Sequence, residues 1–140
     1  MGWRSSSHAR YDCKYHLIWC PKRRKKLGDA EVRDWIAETM GRIAEEYDFE
    51  IDVLSVEEDH VHLFISFPPR YSIARVVGIL KSISARRAFE RFKWLRERFW
   101  SRELWERGYA VRTVGDAVTA ELIRRYIRRH KEATNQTELF

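Results

Sequence analysis

A chain of 140 residues with 44% hydrophobic and 14% aromatic content can build one domain around its own core, and residues 1–140 read as a single domain whose folded part covers about 11–133. Lys and Arg number 27 against 21 Asp and Glu, a net charge of +6, which points to an anionic partner such as nucleic acid or a membrane surface. No apolar run is long enough to span a membrane, and the first dozen residues lack the apolar segment of a secretory signal, so the expectation is a cytoplasmic protein without a membrane partner.

Residues 11–20 alternate, with Tyr11, Cys13, Tyr15, Leu17 and Trp19 on one side and Asp12, Lys14 and His16 on the other, the pattern of a strand with one wet face. Cys13 and Cys20 fall on opposite faces of that strand, too far apart for a mutual disulfide, and read as reduced core thiols. Pro21 ends the strand, and Lys22-Arg23-Arg24-Lys25-Lys26 follows as a cationic loop, either a solvated surface or a grip on a phosphate backbone. Asp29 is placed to cap a helix reaching about Tyr47, with Val32, Trp35, Ile36, Met40, Ile43 and Ala44 on its inner face.

A strand over 50–57 turns through Glu58-Asp59 into another that Pro68-Pro69 stops. Helical spacing returns over 72–92 in Ile73, Val76, Val77, Leu80 and Ile83, and Lys81, Arg86, Arg87 and Arg91 give that helix a cationic side. The segment from Trp94 to Trp100 mixes aromatics with Arg, as a cluster under a loop or as a stack for unpaired bases. Residues 108–115 predict a short strand between glycines, and Asp116 a cap for a last helix reaching about Ala133. The order β-α-β-β-α-β with one added helix is an α+β, ferredoxin-like sandwich, an antiparallel sheet with two helices on one face.

In the run Asp59-His60-Val61-His62-Leu63-Phe64-Ile65, side-chain alternation puts His60 and His62 on one face and Val61, Leu63, Ile65 and Phe67 on the other. Two such imidazoles are either ordinary satisfied histidines or spaced to chelate one metal ion. On the last helix, Leu122, Ile123, Tyr126, Ile127 and His130 share one arc, and Tyr126 and His130 are i and i+4. A helix laid across the face bearing His60 and His62 would make His130 a third ligand in a metal site with open positions, with Tyr126 one turn away. A tyrosine hydroxyl can attack a phosphodiester when a metal polarises the phosphate.

Tyr15-His16-Leu17-Ile18-Trp19 with Pro21-Lys22, Asp59-His60-Val61-His62-Leu63, Lys81-Ser82, Trp105, Gly108-Tyr109 with Thr113-Val114-Gly115, and Tyr126-Ile127 occur in an order and spacing that resemble the single-tyrosine HUH transposases of the insertion sequence 200/605 family, including relatives associated with repetitive extragenic palindromes. The resemblance implies a metal-dependent endonuclease and strand transferase for single-stranded DNA carrying hairpins. It assigns the divalent ion, magnesium or manganese, to His60 and His62, and the nucleophile to Tyr126, which would leave a 5′-phosphotyrosine link and a free 3′-hydroxyl. It also implies a homodimer in which Tyr126 of one subunit can serve the histidines of the other.

Two departures stand out. The family commonly has Gln or Asn where this chain has His130, and Tyr where it has Arg23. Relaxases, which are related HUH nucleases, use three histidines, and three imidazoles favour softer transition metals. Single-stranded DNA would be gripped by Lys22, Arg23, Arg24, Lys25, Lys26, Lys81, Arg86 and Arg125. The competing readings are a non-catalytic nucleic-acid-binding module of the same fold, an interaction protein with incidental histidines, and a zinc hydrolase with a water nucleophile that would not need Tyr126.

Overall fold

The computed structural model describes residues 2–100 and 102–114 and, towards the C-terminus, 121–122, 124–125 and 127–129. Its elements are β1 (Arg4–Ser5), β2 (Arg10–Tyr11), β3 (Lys14–Trp19), α1 (Ala30–Glu46), β4 (Glu50–Val56), β5 (Val61–Ser66), α2 (Ile73–Arg91), α3 (Trp94–Arg98) and β6 (Ala110–Val114), and the described residues between 121 and 129 are helical. Strands β3 to β6 form one sheet in the order β4-β5-β3-β6, every neighbour antiparallel. Element order and sheet topology agree with the α+β reading of the sequence. Among the described residues, no helix is long and apolar enough to cross a membrane.

Local chemistry explains the element boundaries. The Asp29 carboxylate accepts from the Val32 backbone N–H at 3.2 Å and starts α1, and the Ser72 hydroxyl accepts from the Arg75 N–H at 3.1 Å and starts α2. The apolar faces of both helices lie on one face of the sheet, where Ile36, Met40, Ile43, Val76 and Leu80 meet Leu17, Trp19, Val61, Leu63 and Ile65. Burying a side chain of this kind contributes about 1.5–3 kcal/mol, so this layer dominates the stability of the domain.

Four sequence expectations are corrected. The strand over 11–20 is two elements: Arg10–Tyr11 pairs with Arg4–Ser5 in a separate ribbon, and the main strand begins at Lys14, whose ammonium pairs with Asp12 across the break. Cys13 is half-buried rather than a core thiol, while Cys20 is buried, and both are free. The expected wet face of β3 is covered at His16, which is 4% exposed and meets the His62 ring, on the sheet face where Phe64, Val114 and Ile127 cluster. The segment after α2 is no satellite: α3 delivers Leu95 and Phe99 into the main core and leaves Trp94 and Trp100 exposed.

One irregularity matters for the site. The pairing of β4 with β5 shifts between Ile51 and Val53, so Asp52 is an extra residue that reverses which side chains face the helices. Ile51 and Leu54 pack on the main core, and Val53 turns to the opposite face with Phe64.

Candidate active site

His60 precedes β5 and His62 lies within it, and both are buried, at 3% and 0% exposure. Their rings are close to perpendicular, with centroids 4.8 Å apart. Across the sheet, His62 stands opposite Ile18 of β3 and Ser55 of β4. His16 is the diagonal neighbour on β3. Its ring centroid lies 5.6 Å from that of His62 with the planes 16° from parallel, and its Nε2 lies 3.4 Å from His62 Nδ1, so the two rings meet edge to edge. The sheet therefore gathers three imidazoles, His16, His60 and His62, in one buried group. Alternation along the sequence puts His16 on the correct face but does not bring it into the site. Its position two residues from the partner of His62 on an adjoining strand is the missing signal, and strand register is a long-range property.

Asp59 orients His60. Its Oδ1 lies 2.8 Å from His60 Nδ1, and a carboxylate can only accept, so this nitrogen carries a hydrogen, and in the neutral ring the lone pair is on Nε2. The second oxygen of Asp59 faces the Arg24 guanidinium at 3.6 Å, so one residue of the basic run braces the histidine site. These features fit a divalent ion. His60 and His62 would hold it: they are two buried imidazoles on one sheet face with centroids 4.8 Å apart, one of them oriented by a carboxylate as metal-ligating histidines commonly are. Among the described residues, no group of three His, Cys, Asp or Glu side chains is arranged to hold a metal. The expected third ligand, His130, and the expected nucleophile, Tyr126, lie outside the described residues.

Helical residues on either side of Tyr126 are fixed to the histidine face. Ile127 is fully buried against Phe64 and Val114. Arg124 donates from Nε to the Asp52 carboxylate at 2.6 Å, and its guanidinium lies 5.6 Å from the Phe64 ring centre. That ion pair holds the Arg124 guanidinium above its ordinary pKa. The β4 bulge supplies this anchor, since Asp52 is its extra residue.

The expected DNA-contacting cations separate into two groups. Lys22, Arg23 and Arg24 form a 3-10 turn in which Arg23 and Arg24 have positive φ. Lys22 Nζ pairs with Glu103 at 2.9 Å and Glu106 at 3.3 Å, the Arg23 backbone N–H donates to Glu106 at 3.1 Å, and Lys25 Nζ donates to the Arg98 carbonyl at 2.8 Å. Hydrogen bonds to Glu103 and Glu106 raise the pKa of Lys22, while backbone N–H donation from Arg23 and Arg107, with Lys22, lowers that of Glu106. Lys81 donates to the carbonyls of Glu106 and Gly108 at 2.9 and 2.6 Å, and burial pushes its ammonium below the usual lysine range. Lys22 and Lys81 thus hold residues 103–108 against the end of β3. Lys26, Arg86 and Arg125 are exposed, and two of them meet a single surface carboxylate, Lys26 with Glu58 at 3.4 Å and Arg125 with Glu121 at 3.8 Å. Arg86 borders an open groove of about 450 Å³ together with Phe89, Arg102, Trp105 and Arg107, on the helix side of the sheet and away from the histidines.

Comparisons with known proteins point to one family. The family model described as "Transposase IS200 like" matches residues 9–130. The ISDra2 transposase TnpA of Deinococcus radiodurans is 38% identical over 117 residues, covering 84% of this chain and 83% of the relative. The transposase for insertion sequence element IS200 of Salmonella typhimurium is 33% identical over 112 residues, covering 80% and 74%. A crystal structure of a Deinococcus radiodurans R1 protein assigned as a transposase superposes with a TM-score of 0.72 at 33% identity, covering 90% of this chain and 96% of that one. A REP-associated tyrosine transposase bound to a REP hairpin superposes at 0.65 over 96% and 77% with 12% identity, a likeness of fold. The chain belongs to the IS200-like transposase family.

Proposed function

We propose that this protein is a DNA transposase that nicks and rejoins single-stranded DNA at hairpin-bearing ends, using a divalent metal ion and Tyr126. The observation that carries the reading is the buried pair His60 and His62 on one sheet face, with Asp59 fixing the tautomer of His60, within a chain of the IS200-like family. In this reading His60 and His62 hold the ion and His130 adds a third nitrogen. When bound, the ion withdraws charge from the scissile phosphate and stabilises the departing oxygen. Magnesium or manganese suits the family, and three imidazoles would also accept a softer transition metal.

The Tyr126 hydroxyl gives up its proton as its oxygen attacks phosphorus, the bond from phosphorus to the 3′ oxygen breaks, and that oxygen takes up a proton and leaves as the free 3′-hydroxyl. The 5′ side stays on the tyrosine as a phosphodiester, so a later 3′-hydroxyl can reverse the step at a new junction. The anchors of the neighbouring helical residues, Arg124 on Asp52 and Ile127 on Phe64, support a tyrosine brought to the histidine face. Lys26, Arg86 and Arg125 supply phosphate contacts, with Arg24 beside the site through Asp59 and Arg23 and Lys25 in the same basic run. Lys22 and Lys81 act chiefly by shaping the surface. A homodimer in which Tyr126 serves the partner subunit's histidines belongs to the same proposal, and so does recognition of a hairpin, the kind of partner held by the REP-associated structure.

Incubation with manganese and a panel of hairpin-bearing single strands should give a denaturant-resistant protein–DNA adduct that Tyr126→Phe removes without loss of DNA binding. An adduct of undiminished yield in Tyr126→Phe would overturn the assignment. Salt-sensitive binding across the panel with no adduct would favour the non-catalytic binding module. A Tyr126→Phe protomer mixed with a His60→Ala/His62→Ala protomer should recover part of the activity once subunit exchange is confirmed, and strict absence of recovery would place the whole site in one chain.

A further inference from the structure

The proposed reaction uses His60 and His62 but gives no role to the third buried imidazole. His16 is 4% exposed on a face where Ile18 and Phe64 are its apolar companions. A histidine there loses its hydration, which a leucine would not, unless its nitrogens are used. One use is visible: His16 Nε2 lies 3.4 Å from His62 Nδ1, with the ring planes 16° from parallel and the centroids 5.6 Å apart, so the rings meet edge to edge, nitrogen facing nitrogen.

Of two nitrogens in such a contact, one donates and one accepts, and the choice decides what His62 can do. If His16 Nε2–H donates to His62 Nδ1, a neutral His62 has its only hydrogen on Nε2 and no lone pair there for a metal. If His62 Nδ1–H donates to His16 Nε2, the lone pair of His62 is on Nε2, as it is in His60. We propose that His16 is a positioning residue that holds His62 in the Nδ1–H tautomer, doing for His62 what the Asp59 carboxylate does for His60. The inference rests on the reading of His62 as a metal ligand. It also makes the two ligands unequal: a carboxylate strengthens the donor power of His60 more than a neutral imidazole strengthens that of His62.

The test reads the tautomer without metal or DNA. In the full chain labelled with nitrogen-15 histidine, long-range proton–nitrogen correlations should place the His62 hydrogen on Nδ1. His16→Gln, whose side-chain oxygen can accept near the position of Nε2, should keep it there, and His16→Phe should shift population to the Nε2–H form. Manganese affinity by calorimetry should fall about 10–100-fold in His16→Phe and stay within about threefold in His16→Gln. A His62 hydrogen on Nε2 in the unaltered protein overturns the proposal, and so does a His16→Phe variant that keeps both tautomer and affinity. Should His16→Phe fail to fold, the tautomer of the unaltered protein and the affinity of His16→Gln decide the matter. If the unaltered protein takes no manganese, the metal reading fails on its own, and the tautomer still decides what His16 does.

Discussion

The two faces of the central sheet are buried to similar depth and made of different material. On the helix side Leu17, Leu63 and Ile65 are fully buried among aliphatic and aromatic neighbours, and on the other side His62 and Phe64 are equally buried beside His16. Burial alone therefore does not distinguish a core from a site. The first face is held by apolar area, which is tolerant of sequence and additive over many residues. The second depends on a few nitrogens and oxygens whose partners must be present: Asp59 on His60, His16 against His62, Asp52 on Arg124.

The largest expected contrast comes from removing one residue from each face. Leu63→Ala should cost about 2–5 kcal/mol in urea unfolding, because a cavity opens in the packed layer. The DNA affinity of the molecules that remain folded should be unchanged. His62→Ala should abolish cleavage yet move the unfolding midpoint less than Leu63→Ala, since an imidazole gains far less than a leucine from leaving water. If His62→Ala proved the more destabilising of the two, the histidine face would be a second core whose chemistry is incidental.

A smaller effect should separate the sheet from the helical residues laid on it. Arg124→Ala removes a partly buried, charge-assisted pair with Asp52 and the cation beside Phe64, a loss of about 1–3 kcal/mol. The loss should fall on local opening: backbone amides at 124–125 and 127–129 should exchange faster with deuterium, while those of α1 and α2 keep their protection. Unchanged exchange in that segment would mean that Ile127 alone is a sufficient anchor.

How far the sequence was legible follows from the range of each interaction. The helix starts at Asp29 and Ser72 depend on a hydrogen bond within three residues, and His60 and His62 share a face by simple alternation, so all of these could be read directly. His16 is buried beside His62 and Phe64 of a neighbouring strand, which are distant in sequence, and a histidine's hydropathy does not announce it. The bulge at Asp52 has no glycine to mark it, and its purpose is visible only with Arg124 in place. Lys22 to Lys26 read as one cationic run, yet the carboxylates that engage Lys22 arrive from positions 103 and 106.

That division of the cations can be sharpened by salt titration. Replacing Arg86 with Ala should lower the slope of log affinity for single-stranded DNA against log salt by about 0.7 for every phosphate that the protein no longer neutralises, and Lys26→Ala and Arg125→Ala should lower it less, because each cation faces one surface carboxylate, Glu58 or Glu121. Lys22→Ala should leave the slope nearly unchanged, because its charge is already matched by Glu103 and Glu106. A Lys22→Ala slope as flat as that of Arg86→Ala would show that the internal pairs open when DNA binds.

The smallest expected effect is the pH dependence of that same clamp. Hydrogen bonds from the Arg23 and Arg107 backbone and from Lys22 depress the Glu106 pKa, and its pair with Lys22 depresses that of Glu103. A carboxylate depressed in the folded state contributes stability that is present above its ordinary pKa and is lost as pH falls through the depressed value. Lys22 is raised, so its contribution is complete below the ordinary lysine pKa and is lost as pH rises through the raised value. The clamp is therefore intact between the ordinary carboxylate and lysine values, about 4.3 and about 10.4. The urea midpoint of the unaltered protein should exceed that of Lys22→Ala across this window, and the two should converge at both ends. All three groups are solvent-facing, so salt should shrink the difference as well. A gap that persisted in acid, after Glu103 and Glu106 had taken up protons, would mean that the Lys22 stem contributes by packing and its ammonium contributes little.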